Sequence, residues 1–386
     1  MRGLTVDGRR AWVAVLALFL GFAAHARVTA AEPDGRLTAD EIRQWGWDQE
    51  IVRPDGLKIS WAMKAPLAVN AGWLTPGKFP EHAVSLRTPK EIAEVYAASL
   101  KAGSKEPAFV TYPRPADGSL RIVGTGHSFM MPGYGTLPGI AQAAGLKEQR
   151  LYVHAGGGVT GSARYKWEEE NGIYQFDKKP KPKLLASIAN GQWDVMMWGP
   201  FFQDRPAYYE CWIDFCLKYN PQMKFYLVDV WPGIAGLSKA PATEAELSDE
   251  ALGQWFGIPK ETFSRIVAAL EKKYPGKVFL VPMNDAMHLA ARRQREGKLP
   301  GIEGVHKLIG KKERSLFVDP IGHLGPAFNL LEGYVFYATL YGKSPEQIPG
   351  TLAKEGQFPS KELDLAFRQI AWEAVSGNAP SGVKEK

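Results

Sequence analysis

Apolar and polar positions follow two different patterns along the chain, and the change falls near residue 120. From there on, five short apolar runs are typical of buried strands: residues 120–124, 151–154, 193–198, 224–230 and 277–281. Segments with helical spacing of apolar residues separate or follow them: residues 136–144, 183–189, 207–219, 260–273, 286–296 and 327–340. Strands that alternate with helices form parallel sheets covered on both faces. The pattern therefore predicts an α/β fold with a mostly parallel sheet of about five strands sandwiched by helices.

The first 117 residues follow a different pattern. Arg9 and Arg10 precede an apolar stretch that ends in small residues, which predicts a cleavable signal peptide over residues 1–26. A second candidate cleavage site follows Ala31, and no later segment is apolar for long enough to cross a bilayer. We therefore expect a secreted or periplasmic protein without a stable membrane anchor. Residues 27–117 are rich in Trp, Pro and Gly and predict an irregular N-terminal extension with a helix over residues 89–100. Its tryptophans either pack against the main domain or form a carbohydrate platform.

Two separated motifs carry the candidate chemistry. Ser128 lies in Gly-His-Ser-Phe directly after the first predicted strand, and Asp319 and His323 lie in Asp-Pro-Ile-Gly-His near the other end of the domain. A serine hydroxyl is a poor nucleophile at neutral pH unless a base accepts its proton and a third group orients that base. Ligands of open parallel sheets bind beyond the carboxyl ends of the strands. Ser128, the run 156–158 and Gly199 all follow predicted strands, so we expect them at one edge of the sheet.

These motifs resemble those of the SGNH (GDSL-like) hydrolases, and most closely the branch whose first block reads Gly-Asn-Ser-Phe. The resemblance covers residues 118–345, which we take as the hydrolase domain. Its blocks, in chain order, are residues 124–129 with 133–138, 156–161, 191–195, and 319–323 with 333–342. Membership would imply an SGNH, flavodoxin-like sheet and an esterase that needs neither cofactor nor metal. The family's habits favour acyl esters, such as O-acetyl groups, on carbohydrate.

The resemblance also implies a role for each site residue. Ser128 would attack the carbonyl carbon, His323 would accept and return the proton, and Asp319 would orient the imidazole. The backbone N–H groups of Ser128 and Gly158 would bind the oxyanion. Gly199 and, in place of an asparagine, Gln203 would complete the oxyanion and substrate-binding positions.

Three positions depart from the family pattern. His127 replaces the Asp or Asn before the nucleophile, and we expect it to make a hydrogen bond at the turn. The third block offers Gly199 but no asparagine, and three residues instead of two separate Asp319 from His323. The alternative function is therefore a catalytically degenerate member that binds glycan or cell-wall material without turnover.

Composition excludes some other functions. The formal net charge of +6 arises from 47 basic and 41 acidic residues that are spread along the chain, so a nucleic-acid partner is not expected. Cys211 and Cys216 lie five residues apart on a predicted helix, about 8 Å along its axis, which favours two buried thiols over a disulfide. Small-molecule or polysaccharide esters are the expected partners, and the sequence leaves the oligomeric state open.

Other polar residues have alternative interpretations. His154, His127 and Asp194 form a weak candidate metal set, since they lack the short spacing of familiar metal motifs. The pair Asn284-Asp285 follows the fifth predicted strand and is expected to cap the next helix. A C-terminal helix and a disordered tail from about residue 376 are expected over residues 346–386.

Overall fold

The computed structural model describes residues 51–52, 58–59, 109–155, 184–199, 204, 206–234 and 241–384. Two short strands, β1 (Ile51–Val52) and β2 (Lys58–Ile59), pair antiparallel. The main sheet contains five strands: β3 (Arg121–Gly126), β4 (Arg150–Ala155), β5 (Val195–Trp198), β6 (Lys224–Val228) and β7 (Val278–Val281). Their order is β4-β3-β5-β6-β7, and every neighbouring pair is parallel. The predicted α/β fold with a parallel five-stranded sheet is confirmed.

Helices lie between and after the strands. Their bounds are α1 (Met131–Ala143), α2 (Leu184–Asn190), α3 (Ala207–Tyr219), α4 (Asp249–Lys273), α5 (Met283–Arg295), α6 (Lys307–Gly310), α7 (Phe328–Tyr341) and α8 (Lys361–Ser376). A separate parallel pair, β8 (Gly304–His306) and β9 (Ser315–Phe317), lies between α5 and α7 in the chain. Helix α7 packs against both α1 and α8, and nearly all of its residues are buried.

The direction of the strand connections reverses at one place in the sheet. After β3 the chain adds β4 on one side and then crosses to add β5 on the other, so the direction of the connections reverses between β3 and β5. Helices on the two sides of such a reversal diverge and leave a crevice at the carboxyl ends of the strands. All six residues of β3 are buried, whereas the residues of β4, at the edge of the sheet, are mostly half-buried. The reversal places the segment after β3 at the crevice.

Three helices, α1, α4 and α5, begin earlier than the sequence pattern predicts, and the difference is largest for α4 and α1. Helix α4 begins at Asp249, where the Ser248 hydroxyl accepts a hydrogen bond from the N–H of Ala251, and it continues through Pro259. Helix α1 begins at Met131 and includes Pro138. An internal proline removes one backbone hydrogen bond but does not end a helix when tertiary packing holds both sides. In α1, buried residues on both sides of Pro138 provide that packing.

The C-terminal tail is ordered through Lys384, so the predicted disorder is wrong for residues 377–384. Ala379–Ser381 forms a 3₁₀ turn, and both Asn378 and Ser381 are buried. Asn378 Nδ2 donates to Asp285 Oδ2 at 2.8 Å, and Ser381 Oγ donates to the carbonyl of Val375 at 2.8 Å. The tail therefore packs on the domain, where specific side-chain bonds offset its conformational entropy.

Several predictions lie outside the described residues. They are the signal peptide over residues 1–26, the helix at 89–100 and the Trp platform of the N-terminal extension. Of the cysteines, Cys216 is a buried free thiol, and burial raises its pKa, whereas the side chain of Cys211 is outside the described part. Among the helices that the structure describes, none is both long and apolar enough to span a membrane.

Candidate active site

Ser128 lies on the short turn that connects β3 to α1. The backbone N–H of Met130 donates to the carbonyl of His127 at 3.0 Å, and the N–H of Phe129 approaches His127 Nδ1 at 3.4 Å. His127, Phe129 and Met130 are buried, whereas Ser128 is exposed. His127 therefore makes the hydrogen bond that was expected of it at the turn. Burial of the neighbours fixes the turn and leaves the serine hydroxyl at the carboxyl edge of the sheet.

The backbones at the ends of β3 and β5 approach each other closely next to this turn. Gly126 ends β3, and Gly199 follows β5 directly beside it. A Cβ atom added at Gly199 would lie 2.9 Å from the Cα of Gly126 and would overlap the sulfur of Met130. Only glycine fits at Gly199 without a backbone shift, because the Gly126 backbone lies too close for a Cβ atom and the Met130 side chain fills the remaining space.

The second half of the site is a loop folded around one carboxylate. Asp319 Oδ1 accepts hydrogen bonds from the backbone N–H groups of Ile321 (3.1 Å), Gly322 (2.9 Å) and His323 (3.1 Å). Gly322 has φ +96°, a conformation that favours glycine. The loop turns back on itself, and Asp319 Oδ2 lies 2.5 Å from His323 Nδ1. The unusual three-residue separation between the two side chains is therefore compatible with their contact.

The structure brings both halves together. His323 Nε2 lies 2.6 Å from Ser128 Oγ. Because the Asp319 carboxylate can only accept at His323 Nδ1, the ring carries its proton on Nδ1 and offers the lone pair of Nε2 to the serine hydroxyl. Burial raises the pKa of Asp319, but the hydrogen bonds from His323 and Gly322 outweigh it and hold that pKa below its ordinary value. The carboxylate thus stays ionised at neutral pH.

The candidate oxyanion donors differ in whether their backbone N–H groups are already hydrogen-bonded. The backbone N–H of Ser128 makes no hydrogen bond with any residue that the structure describes, which leaves it available to a ligand. Gly199 was expected at the oxyanion site, but its N–H donates to the carbonyl of Thr125 at 2.9 Å and extends the β3–β5 ladder. That expectation is wrong for the Gly199 amide, because a bonded N–H has no hydrogen left to donate. Gly158 and Gln203 lie outside the described residues.

The candidate metal set is not assembled. Asp194 precedes β5 at the amino edge of the sheet, whereas His127 follows β3 at the carboxyl edge. The Asp194 carboxylate accepts from Arg121 Nε (3.0 Å) and Nη2 (2.9 Å). Burial raises the pKa of Asp194, but its bonds to Arg121 outweigh that effect and lower it. His154 contacts the hydroxyl of Tyr152 at 3.1 Å. The proposed set fails because Asp194 and His127 lie at opposite edges of the parallel sheet. Among the described residues, no cluster of three or more metal-binding side chains occurs.

Asn284 and Asp285 lie inside the first turn of α5, whose N-cap is Pro282, so the predicted cap is wrong for both residues. Asp229, which follows β6, accepts from the Asn284 N–H at 2.7 Å, and Asn284 Nδ2 donates to the carbonyl of Val230 at 2.8 Å. Burial, assisted by the charge of Asp285, raises the pKa of Asp229 well above its ordinary value. Asp285 instead pairs with Lys260 at 2.7 Å.

Two residues that the sequence did not single out contact the Asp319–His323 loop. His306 is buried, and its Nδ1 accepts from the N–H of Leu308 at 3.2 Å. Its Nε2 therefore carries the proton and donates to the carbonyl of Asp319 at 3.1 Å. Trp231, which follows β6, donates from Nε1 to the carbonyl of Gly322 at 2.6 Å. For the Trp231 contact, the only sequence signal was a tryptophan shortly after a strand. No sequence signal pointed to the His306 contact.

No protein-family model matches the chain, and no curated protein matches it. Among solved structures, the chain is similar to a DUF4886 family protein from Bacteroides uniformis, at 14% identity and a TM-score of 0.42, over 69% of this chain and 98% of that one. It is also similar to a Streptococcus pneumonia protein provisionally named a platelet activating factor. That match has 12% identity and a TM-score of 0.31, and covers 65% of this chain and 94% of that one.

Proposed function

We propose that the protein is a serine esterase that hydrolyses acyl esters with Ser128, His323 and Asp319. One observation carries the proposal. The three side chains form a continuous hydrogen-bonded chain, with 2.6 Å between Ser128 Oγ and His323 Nε2 and 2.5 Å between His323 Nδ1 and Asp319 Oδ2. This is the geometry that a hydroxyl nucleophile requires of its base and of the group that orients the base.

In the proposed reaction, Ser128 Oγ attacks the ester carbonyl carbon while its proton moves to His323 Nε2. The ionised Asp319 stabilises the imidazolium that forms, and the N–H of Ser128 donates to the developing oxyanion. Collapse of the intermediate breaks the bond to the alcohol, which leaves with the proton from His323. Water, deprotonated by the same ring, then attacks the acyl-enzyme and releases the carboxylic acid and free Ser128.

The substrate part of the proposal rests on the resemblance to SGNH hydrolases and on the predicted signal peptide. We propose acyl esters of an extracytoplasmic carbohydrate, with O-acetyl groups as the first class to test. The alternative is a glycan-binding protein without turnover. The engaged N–H of Gly199 favours that alternative, since it leaves one fewer donor for the oxyanion. The Asp319–His323 spacing does not favour it, since the loop lets the two side chains meet.

The purified protein should hydrolyse p-nitrophenyl acetate and release acetate from acetylated xylan. Ser128→Ala should remove both activities, whereas Ser376→Ala should retain them, because the Ser376 hydroxyl only donates to the Trp372 carbonyl at the end of α8. A fluorophosphonate probe should label Ser128. Binding of the glycan without acetate release or labelling would support the alternative, and activity that persists in Ser128→Ala would refute the triad.

A further inference from the structure

Trp231 lies between the two halves of the candidate site and contacts both. We infer that Trp231 is a positioning residue that sets the distance between Ser128 and His323. This inference rests on the proposed function, but it concerns a side chain that does not touch the reacting atoms.

The first contact is a hydrogen bond to the loop that carries the base. Trp231 is fully buried, and its Nε1 donates to the carbonyl oxygen of Gly322 at 2.6 Å. Gly322 directly precedes His323, so this bond fixes the peptide group that links the two residues. A buried indole N–H usually has one partner, and here that partner belongs to the catalytic loop.

The second contact is an aromatic stack on the nucleophile side. The Trp231 ring lies parallel to the ring of Phe129, with centroids 4.9 Å apart and an angle of 6°. Phe129 directly follows Ser128, and its ring also meets the His323 ring edge-on at 5.1 Å and 75°. Stacked and edge-on pairs at these distances are attractive. The three rings therefore connect the serine turn to the histidine ring itself.

The backbone beside Trp231 is also fitted to the loop. A Cβ atom at Gly233 would lie 2.5 Å from the carbonyl oxygen of Ile321 and 2.6 Å from that of Pro320. A Cβ atom at Gly322 would contact the Trp231 indole at 3.4 Å. The segment after β6 and the catalytic loop thus approach with no space for a side chain between their backbones.

These contacts act on the part of the site that the sheet does not fix. The Ser128 turn follows a central strand, whereas the Asp319–His323 loop follows β9, which pairs with β8 outside the main sheet. Asp319 keeps the loop folded through its own hydrogen bonds, so losing the indole N–H should move the loop slightly without unfolding it. A misplacement of about 1 Å can reduce the rate about 100-fold.

The first test is Trp231→Phe, which keeps an aromatic ring on Phe129 and removes the N–H donor. The matched control is Trp198→Phe. Trp198 is equally buried and stacks on Phe225 at 5.4 Å and 6°, but its Nε1 has no hydrogen-bond partner among the described residues. For p-nitrophenyl acetate we expect kcat to fall about 10- to 100-fold in Trp231→Phe with KM within about twofold. Trp198→Phe should retain the wild-type kcat.

A second variant, Gly233→Ala, tests the same contact through the backbone. It keeps the inference testable if Trp231→Phe folds poorly. Gly233→Ala should also lower kcat at constant KM, because its Cβ displaces the loop. Gly253→Ala, in α4 with open space around it, is the control and should not change kcat. Equal kcat in Trp231→Phe and Trp198→Phe, or a Gly233→Ala variant as active as wild type, would overturn the inference.

An NMR measurement separates this inference from the proposed function. The proton between His323 Nδ1 and Asp319 should give a deshielded signal in wild type and in Trp198→Phe. We expect this signal to broaden through exchange with water in Trp231→Phe, because the loop is no longer held. If the wild-type protein neither hydrolyses esters nor labels at Ser128, the proposed function fails. The NMR signal alone then decides the role of Trp231, and an unchanged signal would refute it.

Discussion

His323 Nε2 lies 2.6 Å from Ser128 Oγ, although 195 positions separate the two residues in the chain. Ser128 is placed by a central strand of the sheet, and His323 is placed by a loop that folds around the Asp319 carboxylate. The site therefore combines a part fixed by strand pairing with a part fixed by side-chain contacts. We expect the proposed activity to be sensitive to substitutions in either part, and each of the following predictions concerns one of these contacts or the core beneath them.

Replacing the carboxylate should disable the base without disrupting the loop. In Asp319→Asn, the amide oxygen can still accept from the three backbone N–H groups, but the amide NH₂ would face His323 Nδ1. The ring would then carry its proton on Nε2, towards Ser128, and could not accept the serine proton. We expect kcat to fall about 10⁴-fold with little change in KM. Steady-state kinetics with p-nitrophenyl acetate measures this, and a loss below tenfold would argue against the role of Asp319.

The same substitution should have a pH-dependent effect on stability. The pKa of Asp319 is lower in the folded protein than its ordinary value of 3.8, so the ionised carboxylate stabilises the fold above that pH. This stabilisation is lost as the pH falls through the lowered folded pKa. The difference in Tm between wild type and Asp319→Asn should be largest near neutral pH and shrink below about pH 3.8. Thermal unfolding followed by circular dichroism at pH 7 and pH 3 gives the comparison, and a constant difference would contradict it.

Gly199→Ala should disturb both strand ends beneath Ser128. Its Cβ would overlap the Met130 sulfur and approach the Cα of Gly126 to 2.9 Å, so β5 or the serine turn must shift. We expect a loss of stability of about 1–3 kcal/mol and a reduced kcat. The control is Gly139→Ala in α1, where nothing lies within 4 Å of the new Cβ, so stability should rise by about 0.5–1 kcal/mol. Urea unfolding of both variants tests this, and equal stabilities would contradict the close approach.

Glu332 should make the protein less stable as the pH rises. It is fully buried in α7, and neither carboxylate oxygen has a hydrogen-bond partner among the described residues. Burial raises the pKa of Glu332 well above its ordinary value of 4.5 and outweighs the opposing effect of the nearby Gly133 backbone N–H, so the folded state keeps a proton that the unfolded chain has released. Stability is thus lost as the pH rises from 4.5 to the folded pKa.

The measurement is the difference in free energy of unfolding between Glu332→Gln and wild type. Because glutamine does not titrate, we expect the variant to gain stability relative to wild type between pH 5 and pH 8. The same substitution at Glu355, whose side chain is 92% exposed, serves as the control and should show no such gain. A difference that does not change with pH would show that Glu332 is not buried as a neutral acid.

Local patterns predicted the strands well because apolar runs of four to seven residues are too short for typical helices and are typical of strands in a parallel sheet buried on both faces. Predictions failed where distant contacts outweighed local signals. Helix α4 passes through Pro259, although Pro259-Lys260 reads as a helix start. The C-terminal tail has the composition of a disordered segment, but Asn378 and Ser381 are buried and find hydrogen-bond partners on α5 and α8.

Within the site, the sequence predicted Ser128, Asp319 and His323 from their residue types, their order relative to the strands and the family resemblance, and the structure brings the three side chains into contact. The sequence also located Ser128 at the carboxyl edge, since a turn after a parallel strand can lie nowhere else. Only the tertiary structure decided that the Asp319 loop closes on its own carboxylate and that the Gly199 N–H is engaged by Thr125. The same is true of Trp231, which joins the two halves. Hydrogen bonds and ring contacts depend on how loops and elements pack in three dimensions. The order of residues along the chain does not specify the distances between the atoms that make them.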